Sequence, residues 1–187
     1  MRLTDFSTLS FDCYGTLIDW ESGLLHALKP LTGHASQRLD DESVLAAFAG
    51  AESAAQARSP AMPYPGILCD AWRALAARWR IAVDAAEAAR FGASVGDWPA
   101  FADSAAALVY LKRHYRLVIL SNVDRASFTR REAGLGVTFD DVFTAEEIGS
   151  YKPDLRNFRY MLDRLAGEGD AATQVLHVAQ SLYHDHV

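Results

Sequence analysis

The sequence predicts an α/β fold: a parallel sheet with helices on both faces and an all-helical cap inserted after the first strand. Three observations predict it. Short β-branched or aromatic runs of strand length occur at Thr8 to Phe11, Leu117 to Leu120, Asp141 to Thr144 and Gln174 to Ala179. In the second half of the chain these runs alternate with helix-length amphipathic stretches, the pattern of parallel strands joined by right-handed crossovers. Residues 20–95, between the first two runs, carry helical periodicity and no strand signal.

Each element has a local reason. Thr8 to Phe11 reads as a buried strand that delivers Asp12 to its carboxyl end, the edge at which open α/β sheets hold ligands. Gly15 can adopt backbone angles closed to other residues, and Thr16 brings a hydroxyl within reach of the Asp12 carboxylate. Asp19-Trp20-Glu21-Ser22 caps a short helix from about Gly23 to Lys29 that ends at Pro30. An alanine-rich helix follows from Asp40 to about Ala57, with Val44, Leu45, Phe48, Ala51 and Ala55 on one face. Pro60, Pro63 and Pro65 break it. The next helix, Gly66 to Arg80, aligns Leu68, Trp72, Leu75 and Trp79, a stripe that reads as packed core, and a third spans roughly Asp84 to Arg90.

Gly92 to Pro99 returns the chain to the sheet. Asp103 to Tyr115 is a helix with Leu108 and Leu111 inward. Leu117 to Leu120 is an apolar run suited to a strand covered on both faces, closed by Ser121-Asn122. A helix from about Arg125 to Ala133, the strand Asp141 to Thr144, and a helix from Asp154 to Ala166 with Phe158, Leu162 and Leu165 buried come next. The last strand runs into Gln180-Ser181-Leu182-Tyr183-His184-Asp185.

Composition narrows the function. The chain has 187 residues, half of them hydrophobic, enough for a substantial core, and a net charge of -6. No Lys/Arg-rich run is present to neutralise phosphates, so a small-molecule ligand is expected rather than nucleic acid. The two cysteines, Cys13 and Cys69, form no disulfide framework or zinc spacing. No apolar stretch approaches the ~18 residues of a membrane span, so no membrane partner is expected and a cytoplasmic location is the default.

Three strands end in polar groups, at Asp12, at Ser121-Asn122 and at Gln180 through Asp185, and Lys152 opens a helix between the second and third. In a parallel sheet these ends share one edge. The order Asp-x-x-Gly-Thr (Asp12 to Thr16), strand-ending Ser121, Lys152-Pro153 and an acidic loop at Gln180 to Asp185 resembles the four motifs of the haloacid dehalogenase superfamily. Tyr14 stands where phosphatase members carry their general-acid aspartate, and of the acidic pair in the fourth motif only Asp185 is present. Magnesium wants several carboxylate or water oxygens, so the pattern is most similar to the metal-independent L-2-haloacid dehalogenases (type II), and neither metal nor cofactor is expected.

That resemblance implies a Rossmann-like core of residues 1–19 and 96–187, with 20–95 as the cap. The family usually continues past Asp185 with a further helix and strand, so the core is expected to be incomplete at the C-terminus. It also implies hydrolysis of small 2-haloalkanoic acids to 2-hydroxy acids. Asp12 is the nucleophile that forms an aspartyl ester, Lys152 keeps it ionised, Thr16 orients it, and Asp185 activates the water that cleaves the ester. Ser121 and the backbone amides of Cys13 and Tyr14 hold the substrate carboxylate, and Asn122 lies near the departing halide. Such enzymes receive the halide on a cap arginine. Ser43 lies near the expected offset, and Arg38, Arg58 and Arg73 are the open candidates. Leu182 and Phe158 stand where the family carries an asparagine and a tyrosine. A homodimer is in keeping with the resemblance. His177, inside an apolar strand, reads as a core histidine, while His184 and His186 flank Asp185. Two other classes stay open on the residues alone: a magnesium phosphatase acting on a small phosphoester, and a non-catalytic binding protein.

Overall fold

The structure, a computed structural model, describes residues 2–36 and 38–186. Four parallel strands, β1 (Thr8–Phe11), β2 (Arg116–Ser121), β3 (Asp141–Thr144) and β4 (Val175–Val178), lie in the order β3-β2-β1-β4. The register pairs Phe11 with Ile119 and with Val178, and Ser121 with Thr144. All four strands therefore end on one edge. Because successive side chains point to opposite faces, β2 divides its apolar run: Leu117 and Ile119 join a large core on one face, and Val118 and Leu120 a smaller one with Phe143, Met161 and Leu165 on the other.

Helices cover both faces. The small core packs under α8 (Leu155–Gly167), which buries Asn157, Met161 and Leu165, while Phe158 and Leu162 are half-buried. The helix is thus turned relative to the stripe expected from sequence. Asn157 tolerates burial because its amide donates to Asp154 O at 2.9 Å. Between β1 and β2 run α1 (Trp20–Thr32), α2 (Asp41–Arg58), α3 (Tyr64–Trp79) and α4 (Ala85–Ala93), followed later by α5 (Ser104–Leu111). The remaining two helices, α6 (Arg125–Glu132) and the single-turn α7 (Ala145–Ile148), flank β3 in the chain. Leu24, Phe48, Leu68 and Trp72 of the insertion belong to the same apolar cluster as Leu9 and Phe11 of β1. Among the described residues no helix is long and apolar enough to cross a membrane.

Several boundaries differ from the sequence reading, each for a physical reason. Helix α1 starts at Trp20, capped by Asp19, and runs through Pro30 to Thr32. Proline there removes one backbone donor, and burial of Leu28 and Leu31, worth about 1.5–3 kcal/mol each, offsets the lost bond. Helix α3 starts at Tyr64 because Pro65 sits in the first turn, where its missing N–H is not needed, and it stops at Trp79 with Arg80 left-handed at φ 57°. Helix α5 ends at Leu111, and Lys112 to Tyr115 form tighter turns, such as His114 N to Leu111 O at 2.9 Å. Helix α7 is too short to show a period in the sequence; Thr144 caps it by accepting from Glu147 N at 3.3 Å.

Candidate active site

Asp12 leaves β1 at the sheet's carboxyl edge and is 7% exposed. Lys152, in the loop between α7 and α8 and joined to Pro153 by a cis peptide, is 2% exposed and donates to Asp12 Oδ1 at 2.9 Å. The same ammonium donates to Asp185 Oδ1 at 2.5 Å and to Leu120 O at 3.0 Å. All three of its protons are thereby engaged. A lysine this deeply buried is sustained by two carboxylates and a carbonyl in place of water.

The surrounding residues fix this group. Thr16 Oγ1 donates to Asp12 Oδ2 at 2.9 Å and accepts from Gln180 N at 3.1 Å, linking the first turn to the last loop. The turn needs Gly15 at φ 102°, where a Cβ would also lie 3.2 Å from Trp20. Asn122 clamps the lysine backbone, accepting from Lys152 N at 2.7 Å and donating to Lys152 O at 3.2 Å. Its amide thus holds the lysine backbone while Asn122 also lines the cavity. Ser121 is buried and faces the cavity beside Asn122.

Asp185 is held from a second side by His177 of β4, whose Nε2 lies 3.0 Å from Oδ1. His177 Nδ1 lies 2.9 Å from Ser10 Oγ. Burial pushes the Asp185 carboxyl up, but the His177 hydrogen bond and the Lys152 charge outweigh it and hold it below the usual carboxylate range. Its second oxygen, Oδ2, is buried without a partner. His184 is pushed below its ordinary range by burial and by Lys152.

Tyr14 is not free to move protons. Its hydroxyl donates to Val95 O at 3.2 Å, its ring meets Trp98 edge-on, and burial raises its pKa well above the ordinary value. Cys13 is fully buried, which pushes its thiol up as well, and it does not line the cavity beside Asp12. Among the described residues, the N–H groups of Cys13 and Tyr14 donate to no protein acceptor.

Asp12, Tyr14, Ser121, Asn122, Lys152 and Asp185 line a cavity of about 210 Å³ between the sheet edge and the insertion. That is small beside the ~300–1,000 Å³ pockets of drug-sized ligands, and it suits a molecule of few heavy atoms. The insertion lines it with Trp20, Phe48, Glu52, Gln56 and Tyr64. Sequence reading missed Glu52 and Tyr64. Arg38, Arg58 and Arg73 are absent from its lining; Arg58 and Arg73 pair with Asp70 instead, at 3.8 and 2.9 Å.

A family model described as haloacid dehalogenase-like hydrolase matches residues 6–179. The chain belongs to this family. Among solved structures, an L-2-haloacid dehalogenase matches with TM-score 0.79 and 23% identity, covering 95% of this chain and 78% of that one. The L-2-haloacid dehalogenase of Xanthobacter autotrophicus with chloropropionic acid covalently bound matches with TM-score 0.79 and 18% identity, over 95% and 71% of the two chains. A HAD-hydrolase of Bacillus subtilis, YfnB, solved bound to magnesium, matches with TM-score 0.77 and 20% identity, over 96% and 82%. At these identities the structural likeness speaks to the fold. No curated protein matches the sequence.

Some haloacid dehalogenase-like hydrolases bind magnesium, and the donor set of this chain does not fit the ion. Asp12 Oδ1 and Asp185 Oδ1 both point at the Lys152 ammonium, and Asp12 Oδ2 is taken by Thr16. Of the Asp12 and Asp185 oxygens, Asp185 Oδ2 alone has no partner among the described residues, whereas an octahedral magnesium site needs several hard oxygens. Among the described residues no cluster of three His, Cys, Asp or Glu side chains could hold a metal.

Proposed function

We propose that this hydrolase acts without metal, displacing halide from small 2-haloalkanoic acids and passing through an aspartyl ester on Asp12. One observation carries the reading: a single buried ammonium, Lys152, is shared between Asp12 and Asp185. It orients Asp12 as the nucleophile, and a carboxylate lone pair attacks the carbon as the carbon–halogen bond breaks. The halide leaves with the bonding pair. Water then adds to the ester carbonyl as Asp185 takes one of its protons; the acyl–oxygen bond breaks, Asp185 returns that proton to the alkoxide to give the 2-hydroxy acid, and Asp12 gives up the water's other proton to solvent. The unpartnered Asp185 Oδ2 is the oxygen suited to that water. Ser121 and the free N–H groups of Cys13 and Tyr14 are the substrate-carboxylate donors, and Asn122 acts by holding Lys152. Residues 1–19 and 96–187 form the catalytic core in this reading, and 20–95 its cap. The covalently bound chloropropionic acid in the Xanthobacter enzyme, whose fold this chain shares, supports it.

The test is a single turnover of 2-chloropropionate by excess enzyme in ¹⁸O-water with EDTA present. Mass spectrometry of the peptide containing Asp12 is expected to find the label there. Label only in the product hydroxyl, or phosphate release that requires magnesium, overturns the proposal.

A further inference from the structure

The cap side of the cavity carries a carboxyl group to which the hydrolytic steps give no task. Glu52 projects from α2 into the space it shares with Asp12. Tyr64, buried at the start of α3, donates its hydroxyl to Glu52 Oε1 at 2.5 Å. With Oε1 fixed as the acceptor, a proton on this carboxyl resides on Oε2. Burial pushes the group up to about 7, with the Tyr64 bond pulling the other way. Its titratable surroundings are Tyr64 and Tyr151 beside it and, around the cavity, Tyr14, Asp12, Lys152, His184 and Asp185. The sole cation among them is Lys152, already spent on Asp12, Asp185 and Leu120 O. Arg58 and Arg73 pair with Asp70 away from the cavity lining. Among the described residues, no cation besides Lys152 lines the cavity to meet a departing anion.

We propose that Glu52 in its acid form, oriented by Tyr64, receives the leaving group, an inference that rests on the displacement chemistry above. As the Asp12 oxygen–carbon bond forms and the carbon–halogen bond breaks, the halide takes the electron pair and accepts a hydrogen bond from Glu52 Oε2–H. The proton stays on Glu52 as the halide diffuses away, and the carboxyl is ready for the next cycle. Such a neutral donor favours a compact, strongly hydrogen-bond-accepting leaving atom, fluoride ahead of chloride or bromide, so the substrate class extends to 2-fluoroacids. Tyr64 is a positioning residue: it decides which oxygen carries the proton.

The experiment follows kcat/KM for fluoroacetate and 2-chloropropionate from about pH 5 to about pH 9, the range that brackets the acid form of Glu52. The unaltered enzyme is expected to lose activity as pH rises through about 7. Glu52→Gln, which keeps a donor and cannot titrate, loses that alkaline limb. Tyr64→Phe moves the limb to higher pH. Glu52→Leu lowers activity about 10²-fold on fluoroacetate and about tenfold on 2-chloropropionate, the size of a lost proton-donating contact, with circular dichroism confirming the fold. A limb that persists in Glu52→Gln, activity that rises as Glu52 ionises, or a Glu52→Leu penalty equal for both halogens overturns the proposal. If ¹⁸O reaches Asp12 while Glu52→Leu is unimpaired, only the role of Glu52 fails. If the unaltered enzyme releases no halide from any 2-haloacid, the displacement reading fails and this one with it.

Discussion

His177 Nε2 sits 3.0 Å from the Asp185 oxygen that also takes the Lys152 proton, so one carboxylate oxygen is pinned between a strand and a loop. On the other side of the ring, Nδ1 lies 2.9 Å from Ser10 Oγ, whose own proton is directed to Met161 Sδ at 3.0 Å. His177→Leu removes a hydrogen bond to a charged group worth about 1.5–3 kcal/mol, so ester hydrolysis is expected to slow about tenfold or more. Halide displacement is expected to suffer less. Intact mass of enzyme quenched during turnover then shows accumulated ester, and an unchanged steady-state ester fraction counts against the role.

Lys152→Met leaves the Asp12 and Asp185 carboxylates facing each other with no cation between them. Activity is expected to vanish and stability at neutral pH to fall by about 3–5 kcal/mol, the scale for stranding buried charge. Urea unfolding at neutral pH measures this, and a loss under about 1 kcal/mol contradicts it.

The raised Glu52 carboxyl has a stability consequence with a definite sign. Its ordinary value is 4.5 and its folded value about 7, so between these the folded chain binds more protons and loses stability as pH rises. Glu52→Gln is therefore expected to stabilise the protein by about 1–3 kcal/mol at pH 8, and by nearly nothing at pH 4, below both values. Thermal melts of the two proteins across that range check the crossing.

Gly23 of α1 lies against Trp98: an added Cβ would fall 2.4 Å from Trp98 Cγ. The indole cannot yield freely, since its Nε1 donates to Ser94 Oγ at 3.1 Å and its carbonyl accepts from Arg131 at 3.0 Å. Gly23→Ala is expected to cost about 1–3 kcal/mol through overpacking and, because Trp98 walls the cavity, to raise KM. Denaturant midpoints and tryptophan emission report both.

The four strands and the edge on which Asp12, Ser121, Lys152 and Asp185 gather are legible in the sequence, because apolar runs ending in polar residues leave few arrangements open to a parallel sheet. Asp141 to Thr144 matches β3 residue for residue. Glu52 is not legible. It lies in an alanine-rich helix where a glutamate reads as solvated surface, and only the packing of α2 on α3 turns it inward to Tyr64. His177 reads as a core residue because its partners, Ser10 and Asp185, come from a neighbouring strand and a following loop. Asn122 is placed correctly at the end of β2, but its bonding to Lys152 depends on a loop conformation that spacing does not reveal.

The contact between Lys152 and Asp12 joins residues 140 apart in the chain, and that between Lys152 and Asp185 spans 33. The first contact needs β1 in place beside β2, and the second needs the loop that follows β4. A half-folded chain carries Asp12 without the ammonium that positions it, and is inert. Turnover therefore serves as a reporter of completed topology: refolding followed by halide release should lag behind refolding followed by helical circular dichroism, since local helices form before distant strands pair.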